Sequence, residues 1–177
     1  MNNLSYFLVR TKKERGINLP DLLVKLYDLP ELAPLQMKLE AAGIKLCHPL
    51  VFDKRTVVEW VEKEFEREWA CECEAAFAKQ PITCLIAVQN GALIGFACYD
   101  VTCKGFFGPT GVSESARGQG VGKALLLAAL HGLAEAGYAY GIIGGAGPVE
   151  FYQKAVGAIV IEDSSPGIYR DRLPSRE

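Results

Sequence analysis

Short apolar runs bounded by turn residues alternate in this chain with stretches whose apolar positions recur every three or four residues. The first pattern reads as strands and the second as helices. The clearest strand pair is Ile82–Gln89 and Ala92–Asp100, joined by Asn90-Gly91. Asn-Gly suits a two-residue hairpin turn because both central positions need positive φ. Phe106–Val112 reads as a further strand. Leu125, Leu126, Ala129, Leu130 and Leu133 then form the buried side of a helix over Gly120–Ala136, which Gly137 ends. Ala139–Ile143 is a strand, and Pro148 stands in the first turn of a short helix through Lys154. Ala158–Ile161 and Ile168–Arg170 are the last predicted strands.

Upstream, Ile44–Pro49 reads as a strand. Asp53 is placed to cap a helix with the apolar stripe Val57, Trp60, Val61 and Phe65. A second helix carries Trp69, Cys73, Ala76 and Phe77 and ends before Pro81. Residues 1–42 differ from the rest. Tyr6–Val9 suggests a short strand, and Lys12–Arg15 is a charged break. Pro20 opens a predicted helix with Leu22, Leu23 and Leu26 on one side, ended by Pro30. Another helix runs from Leu32 or Pro34 to Ala42, stopped by Gly43. The chain thus divides into a helical N-terminal extension, 1–42, and a domain over 43–177. The leucines of the extension are too apolar for solvent, so it is expected to pack on the domain, covering a sheet edge or flanking the functional site. Strands and helices in this order predict an α/β fold with a mixed sheet and helices on its faces.

The 177 residues suffice for one sizeable core, and the net charge of −2 carries no footprint for nucleic acid. No apolar run reaches membrane-spanning length, and no signal-peptide pattern opens the chain, so a cytoplasmic protein without a membrane partner is expected. The cysteines are Cys47, Cys71, Cys73, Cys84, Cys98 and Cys103. They lack the paired spacing of a zinc site, so no metal is expected and small buried roles are assigned to them.

Chemistry concentrates in the segment from Phe107 to Ala129. A strand there enters Arg117-Gly118-Gln119-Gly120-Val121-Gly122, and these glycines feed directly into a helix. Glycines admit a ligand close to the backbone, and the unpaired amides of a helix start attract phosphate. A Walker A loop is disfavoured because Ala124 follows Gly122-Lys123. The glycine spacing and the late position disfavour a dinucleotide fold.

The segment resembles the signature of the GNAT acetyltransferase superfamily: Arg or Gln, two residues, Gly, one residue, then Gly or Ala. Arg117, Gly120 and Gly122 match it, Val112 precedes it at the family's spacing, and Phe151-Tyr152 resembles the family's later aromatic-Tyr motif. The resemblance covers residues 43–173. It implies acetyl-CoA as cosubstrate and direct attack by the amine of an acceptor on the thioester. Gly111 and Val112 would pair with pantetheine, with the N–H near Val112 as oxyanion donor. Arg117, Gly118, Gln119, Gly120, Val121 and Gly122 would hold the pyrophosphate. Tyr152 would protonate the leaving thiolate. Trp69 and Phe106 are assigned to the acceptor pocket, and a homodimer is the family-level expectation. A non-catalytic acyl-CoA sensor is the alternative, since it would keep the same loop.

Three departures stand out. Gly145 occupies the place of a frequent Asn. One extra residue separates Tyr152 from Gly157. The family's strand glutamate has no counterpart at Phe106–Gly108, which leaves Asp100 and Glu114 as the nearest acids and water as the expected proton route. His48 and His131 are read as structural or surface residues. The charged run 62–68 is read as a solvated helix face.

Overall fold

A computed structural model describes residues 19–173. The strand expected at Tyr6–Val9 and the charged break after it lie outside them. Seven strands form one sheet in the order β2-β3-β4-β5-β6-β1-β7. They are β1 (Leu22–Lys25), β2 (Ile44–Cys47), β3 (Cys84–Gln89), β4 (Ala92–Tyr99), β5 (Phe106–Val112), β6 (Tyr140–Ile143) and β7 (Ile159–Val160). All neighbours are antiparallel except β5 and β6. The helices are α1 (Ala33–Ala41), α2 (Lys54–Glu64), α3 (Arg67–Phe77), α4 (Val121–Glu135) and α5 (Val149–Val156).

The sheet separates two apolar layers. On one face α4 buries Leu125, Leu126, Leu130 and Leu133 beside Leu39 of α1 and Tyr152, Ala155 and Val156 of α5. On the other, Val57 and Val61 of α2 join Ala70, Cys73, Ala76 and Phe77 of α3 over Cys84, Ile86, Phe96 and Cys98. The α/β reading of the sequence therefore holds. So does the hairpin, in which Asn90 and Gly91 take φ of 51° and 77°. Asp53 departs in detail: its carboxylate accepts the N–H of Leu50 at 2.8 Å, and no side-chain bond caps α2.

The helix expected after Pro20 is a strand instead. Leu22 lies opposite Ile143 of β6 and Val160 of β7, so β1 fills the gap between two strands from the other end of the chain. Leu22 and Val24 are fully buried and Leu23 is half-buried, which is a period of two. With both sheet faces covered, three apolar residues in a row carry no periodicity that separates strand from helix. The segment set apart as an extension thus supplies a strand within the sheet rather than a cover for its edge. Its helix α1 reaches the glycine loop, where Leu35 Cδ1 lies 3.3 Å from the Cβ position of Gly120. Leu22→Ala should cost about 2–5 kcal/mol and lower the melting temperature by about 5–15 °C. A shift below about 2 °C would mean that this strand is not integral to the sheet.

Two further expectations differ. Ile168–Arg170 is not a strand, because Gly167–Tyr169 forms a 3-10 turn entered through Pro166, with Gly167 at φ 53°. The strand at Ala158–Ile161 shortens to Ile159–Val160.

Candidate active site

The parallel pairing of β5 with β6 is limited to Phe106 opposite Ile142 and Phe107 opposite Ile143. Beyond that point β5 continues through Gly108, Pro109, Thr110, Gly111 and Val112 along β4 alone. The sheet opens there into a cleft with β5 on one wall. Ser113 gives its N–H to Ile94 of β4 at 2.9 Å. Strand alternation then turns the N–H groups of Val112 and Thr110 into the cleft and that of Gly111 toward β4.

Gly111 is required by packing. A Cβ on it would lie 2.5 Å from the Phe65 ring. Phe65 belongs to an aromatic roof between α2 and α3, with ring centroids 5.4 Å from Trp69, 5.6 Å from Phe96 and 5.6 Å from Trp60. Trp69 is thus half-buried over the Gly111 end of β5. Phe106 stands five residues away, about 16 Å along the strand, against Gly144. The two residues assigned to one acceptor wall occupy different stations.

After β5 a 3-10 turn, Glu114–Ala116, leads to Arg117 and the glycines. Gly118 and Gly120 take φ of 79° and 92°, which L side chains rarely adopt. Gly120 caps α4, and the first bond of that helix runs from the Ala124 N–H to the Gly120 oxygen at 3.0 Å. The amides of Gly120, Val121, Gly122 and Lys123 therefore precede the helical ladder. Beside them, the Ser113 Oγ and Arg117 Nε are buried without a hydrogen-bond partner among the described residues. Free amides, the positive end of a fifteen-residue helix and an unmet guanidinium donor together suit a phosphate-bearing ligand. The Val121 side chain packs in the core, so only its backbone faces the loop. Gln119 is exposed and Gly122 is half-buried.

Tyr152 projects from α5 into the layer under the sheet. It is 4% exposed, and its ring lies edge-on to Phe107 at 6.3 Å and to Phe151 at 5.2 Å. Its phenol makes no hydrogen bond among the described residues, and burial pushes its pKa well above the ordinary value. Gly157 ends α5 at φ 63°, so the extra residue after Tyr152 extends the helix.

Asp100 serves the fold. Its Oδ1 accepts the N–H of Gly105 at 2.7 Å and the hydroxyl of Tyr138 at 2.8 Å, which closes the loop between β4 and β5. Glu114 is exposed on the 3-10 turn. The sequence reading missed Asp21, a buried acid at the start of β1 whose Oδ1 accepts the N–H of Gly145 at 2.7 Å. It also missed Gly144 and Tyr169, which meet Phe106. Nothing local marks these residues, because their contacts join segments that are far apart in the chain. His48 binds the Cys84 carbonyl oxygen at 2.9 Å and His131 that of Pro30 at 3.0 Å.

All six cysteines are free. Cys73, Cys84 and Cys98 are buried with their sulfurs within 4.8 Å of one another. Hydrogen bonds from Cys84 and Cys98 hold the Cys73 thiol down to about 5. Sharing its hydrogen bond with Cys73 raises that of Cys84, and burial raises that of Cys98. These thiols stand in the layer under α3, among the side chains that pack it against the sheet.

The Acetyltransferase (GNAT) family profile covers residues 52–158, more than half of the chain, and the chain belongs to that family. No curated protein matches the sequence. Solved structures share the fold. One is a GCN5-related glucosamine N-acetyltransferase region of a fungal multi-domain GH3 β-N-acetylglucosaminidase. It aligns with a TM-score of 0.68 and 14% identity, over 82% of this chain and 20% of that one. A GCN5-related N-acetyltransferase from Sphaerobacter thermophilus aligns at 0.61 and 23% identity, over 82% of this chain and 50% of that one. A GNAT family acetyltransferase from Brucella melitensis, in complex with acetyl-CoA, aligns at 0.52 and 18% identity, over 67% of this chain and 86% of that one. The chain spans a fifth of the first structure and half of the second. No helix among the described residues is long and apolar enough to cross a membrane.

Proposed function

We propose that the chain transfers an acetyl group from acetyl-CoA to the amine of an acceptor. The observation that carries this reading is the cleft between β5 and β6. It opens between a helix start with unmet donors and a buried phenol. The pyrophosphate lies on the amides of Gly120, Val121, Gly122 and Lys123, with Arg117 beside it, and Gly118 and Gln119 shape the turn. Pantetheine runs back along the open side of β5, from Val112 toward Thr110. Gly111 keeps the strand flat under Phe65.

With Tyr152 as the acid, the chemistry occurs beside its phenol. Its ring contacts Phe107, so a sulfur within reach of the phenol lies near Phe107 and Gly108, four to five residues before Val112. The cleft-facing N–H of Thr110 is then nearer to the thioester oxygen than that of Val112, which serves pantetheine. A neutral amine attacks the carbonyl carbon, and the N–C bond forms as the C–S bond breaks. The strand N–H stabilises the developing oxyanion, the departing thiolate takes its proton from Tyr152, and the proton shed by the attacking nitrogen leaves through water, which restores the phenol. A phenol with a raised pKa stays protonated through the neutral range, as an acid must. Phe106 lines the acceptor side, and Trp69 closes the far end of β5. The free cysteines fit a reducing cytoplasm.

The test joins two measurements on the purified protein. Calorimetry should show acetyl-CoA binding, and free thiol should appear only when a primary amine is added. Binding without amine-dependent thiol release, across a broad amine panel, would make the chain an acyl-CoA sensor.

A further inference from the structure

Three thiols converge in the layer between the sheet and α3. Thr83 accepts the N–H of Tyr99 at 3.0 Å, so the next pair of the β3–β4 ladder, Cys84 and Cys98, is a non-hydrogen-bonded pair. In such a pair the Cα atoms stand about 4.5 Å apart and the side chains share one face. Cys73 meets that pair from α3, with its sulfur 3.9 Å from that of Cys84. The three sulfurs lie within 4.8 Å of one another, and none of the three residues has exposed surface. The positions 73, 84 and 98 form no spacing motif. The hairpin register and the seat of α3 bring them together.

A buried cysteine serves well as a small apolar residue, and a single one would need no other account. Three thiols that meet at one point are a ligand set for a soft atom. Bonds of about 2.3 Å from one atom to two sulfurs hold those sulfurs roughly 3.5–4 Å apart, and the Cys73–Cys84 separation of 3.9 Å falls in that range. Two features choose the occupant. First, among the described residues no fourth Cys, His, Asp or Glu joins the group. Structural zinc takes four ligands, so it is left one short. Second, the surroundings are apolar. Val57, Val61, Ala70, Phe77, Ile86 and Phe96 share the layer, and no lysine or arginine is buried among the described residues. Three thiolates around a monovalent or divalent ion leave a net negative charge in this medium, which is costly. Around a trivalent atom they leave none.

We propose that Cys73, Cys84 and Cys98 form a three-sulfur site for one soft trivalent atom, with arsenic(III) as the type, bound as a neutral trithiolate. The exchange balances without an oxidant or a reductant. Arsenous acid loses three As–O bonds and gains three As–S bonds, and the three thiol protons leave with the hydroxides as three waters. Arsenic stays trivalent. Cys73, whose thiol its two neighbours hold most acidic, begins the exchange as thiolate. Entry is by local opening of α3, whose start has no side-chain cap bond.

The test uses the whole reduced protein and sodium arsenite as the probe. Native mass spectrometry should show one arsenic per chain with the loss of three hydrogens. X-ray absorption at the arsenic edge should show three sulfur neighbours and no oxygen. Cys73→Ala, Cys84→Ala and Cys98→Ala should each weaken binding at least about 100-fold, beyond what losing a partner outside the ligand set would cost. A triple variant, Cys47→Ala with Cys71→Ala and Cys103→Ala, should bind like the wild type. Equimolar zinc should not displace the arsenic. The assignment is overturned if arsenite does not bind, binds only in denaturant, or yields to zinc. It is also overturned if binding persists in a single-site variant or disappears in the triple variant. Should a single-site variant fail to fold, the absorption spectrum of the triple variant decides alone: three sulfurs uphold the site, and two or fewer overturn it.

Discussion

Gly120→Glu should abolish acetyl-CoA binding, with an affinity loss of about 100-fold or more, while the protein remains folded. The residue caps α4 at φ 92°, immediately before amides that have no intrahelical acceptor. A carboxylate introduced there competes for those amides and repels the pyrophosphate. Two effects must be separated, because a side chain at this φ is strained and its Cβ lies 3.3 Å from Leu35. Gly120→Ala carries the same backbone cost, about 1–2 kcal/mol, without the charge. It should keep most of the affinity by calorimetry. Equal losses in the two variants would trace the effect to backbone strain, and wild-type binding by a folded Gly120→Glu protein would move the pyrophosphate elsewhere.

Tyr152→Phe should lower kcat by about 100-fold with acetyl-CoA affinity unchanged. The ring and its edge-on contact with Phe107 survive the substitution. Only the proton donor is removed. Stability should hold or rise, since the hydroxyl has no hydrogen-bond partner among the described residues and its removal strands no other group. The pH dependence has a definite sign. Burial raises the folded-state pKa above its unfolded value of about 10. The phenol is therefore protonated from pH about 6 to 9, and the ratio of wild-type to variant rates should be flat across that range. The same shift gives a stability contribution that is complete below pH about 10 and is lost as the pH rises beyond it. A variant with wild-type turnover would hand the proton to water. A rate ratio that varies steeply near neutrality would show that another group titrates.

The parts of the fold with local causes were legible in the sequence. Asn90-Gly91 demands a tight turn, Ile82–Gln89 has the bounded apolar run of a strand, and the leucines of α4 repeat at helical spacing. The glycine loop was legible for the same reason, since Gly118 and Gly120 hold backbone angles that few other residues accept. The misreadings lie where distant partners decide. Leu22–Lys25 is a strand because β6 and β7 stand on either side of it, and nothing within residues 20–26 announces them. Ile168 looked like a strand residue, yet Pro166 and Gly167 turn the backbone instead. Asp21 was passed over because an acid before an apolar run resembles any helix cap. Its partner Gly145 is 124 residues away. Trp69 and Phe106 looked equivalent as aromatic residues, and only the length of β5 separates their stations.

The insertion of β1 between β6 and β7 also bears on how the chain acquires its shape. Protein synthesis delivers β1 early, whereas both of its neighbours are made more than a hundred residues later. Until then Leu22 and Val24, which are fully buried at the end, have no strand to pair with. The β3–β4 hairpin and the strand β5 can form from nearby residues first. The half of the sheet that completes the cleft has to wait for its last pieces and then close a very long loop, an entropically slow step. During that interval an apolar segment stays open to wrong partners, including the same segment of another growing chain. Completion of the sheet beside β5 is therefore a late event, concurrent with the arrival of β6 and β7.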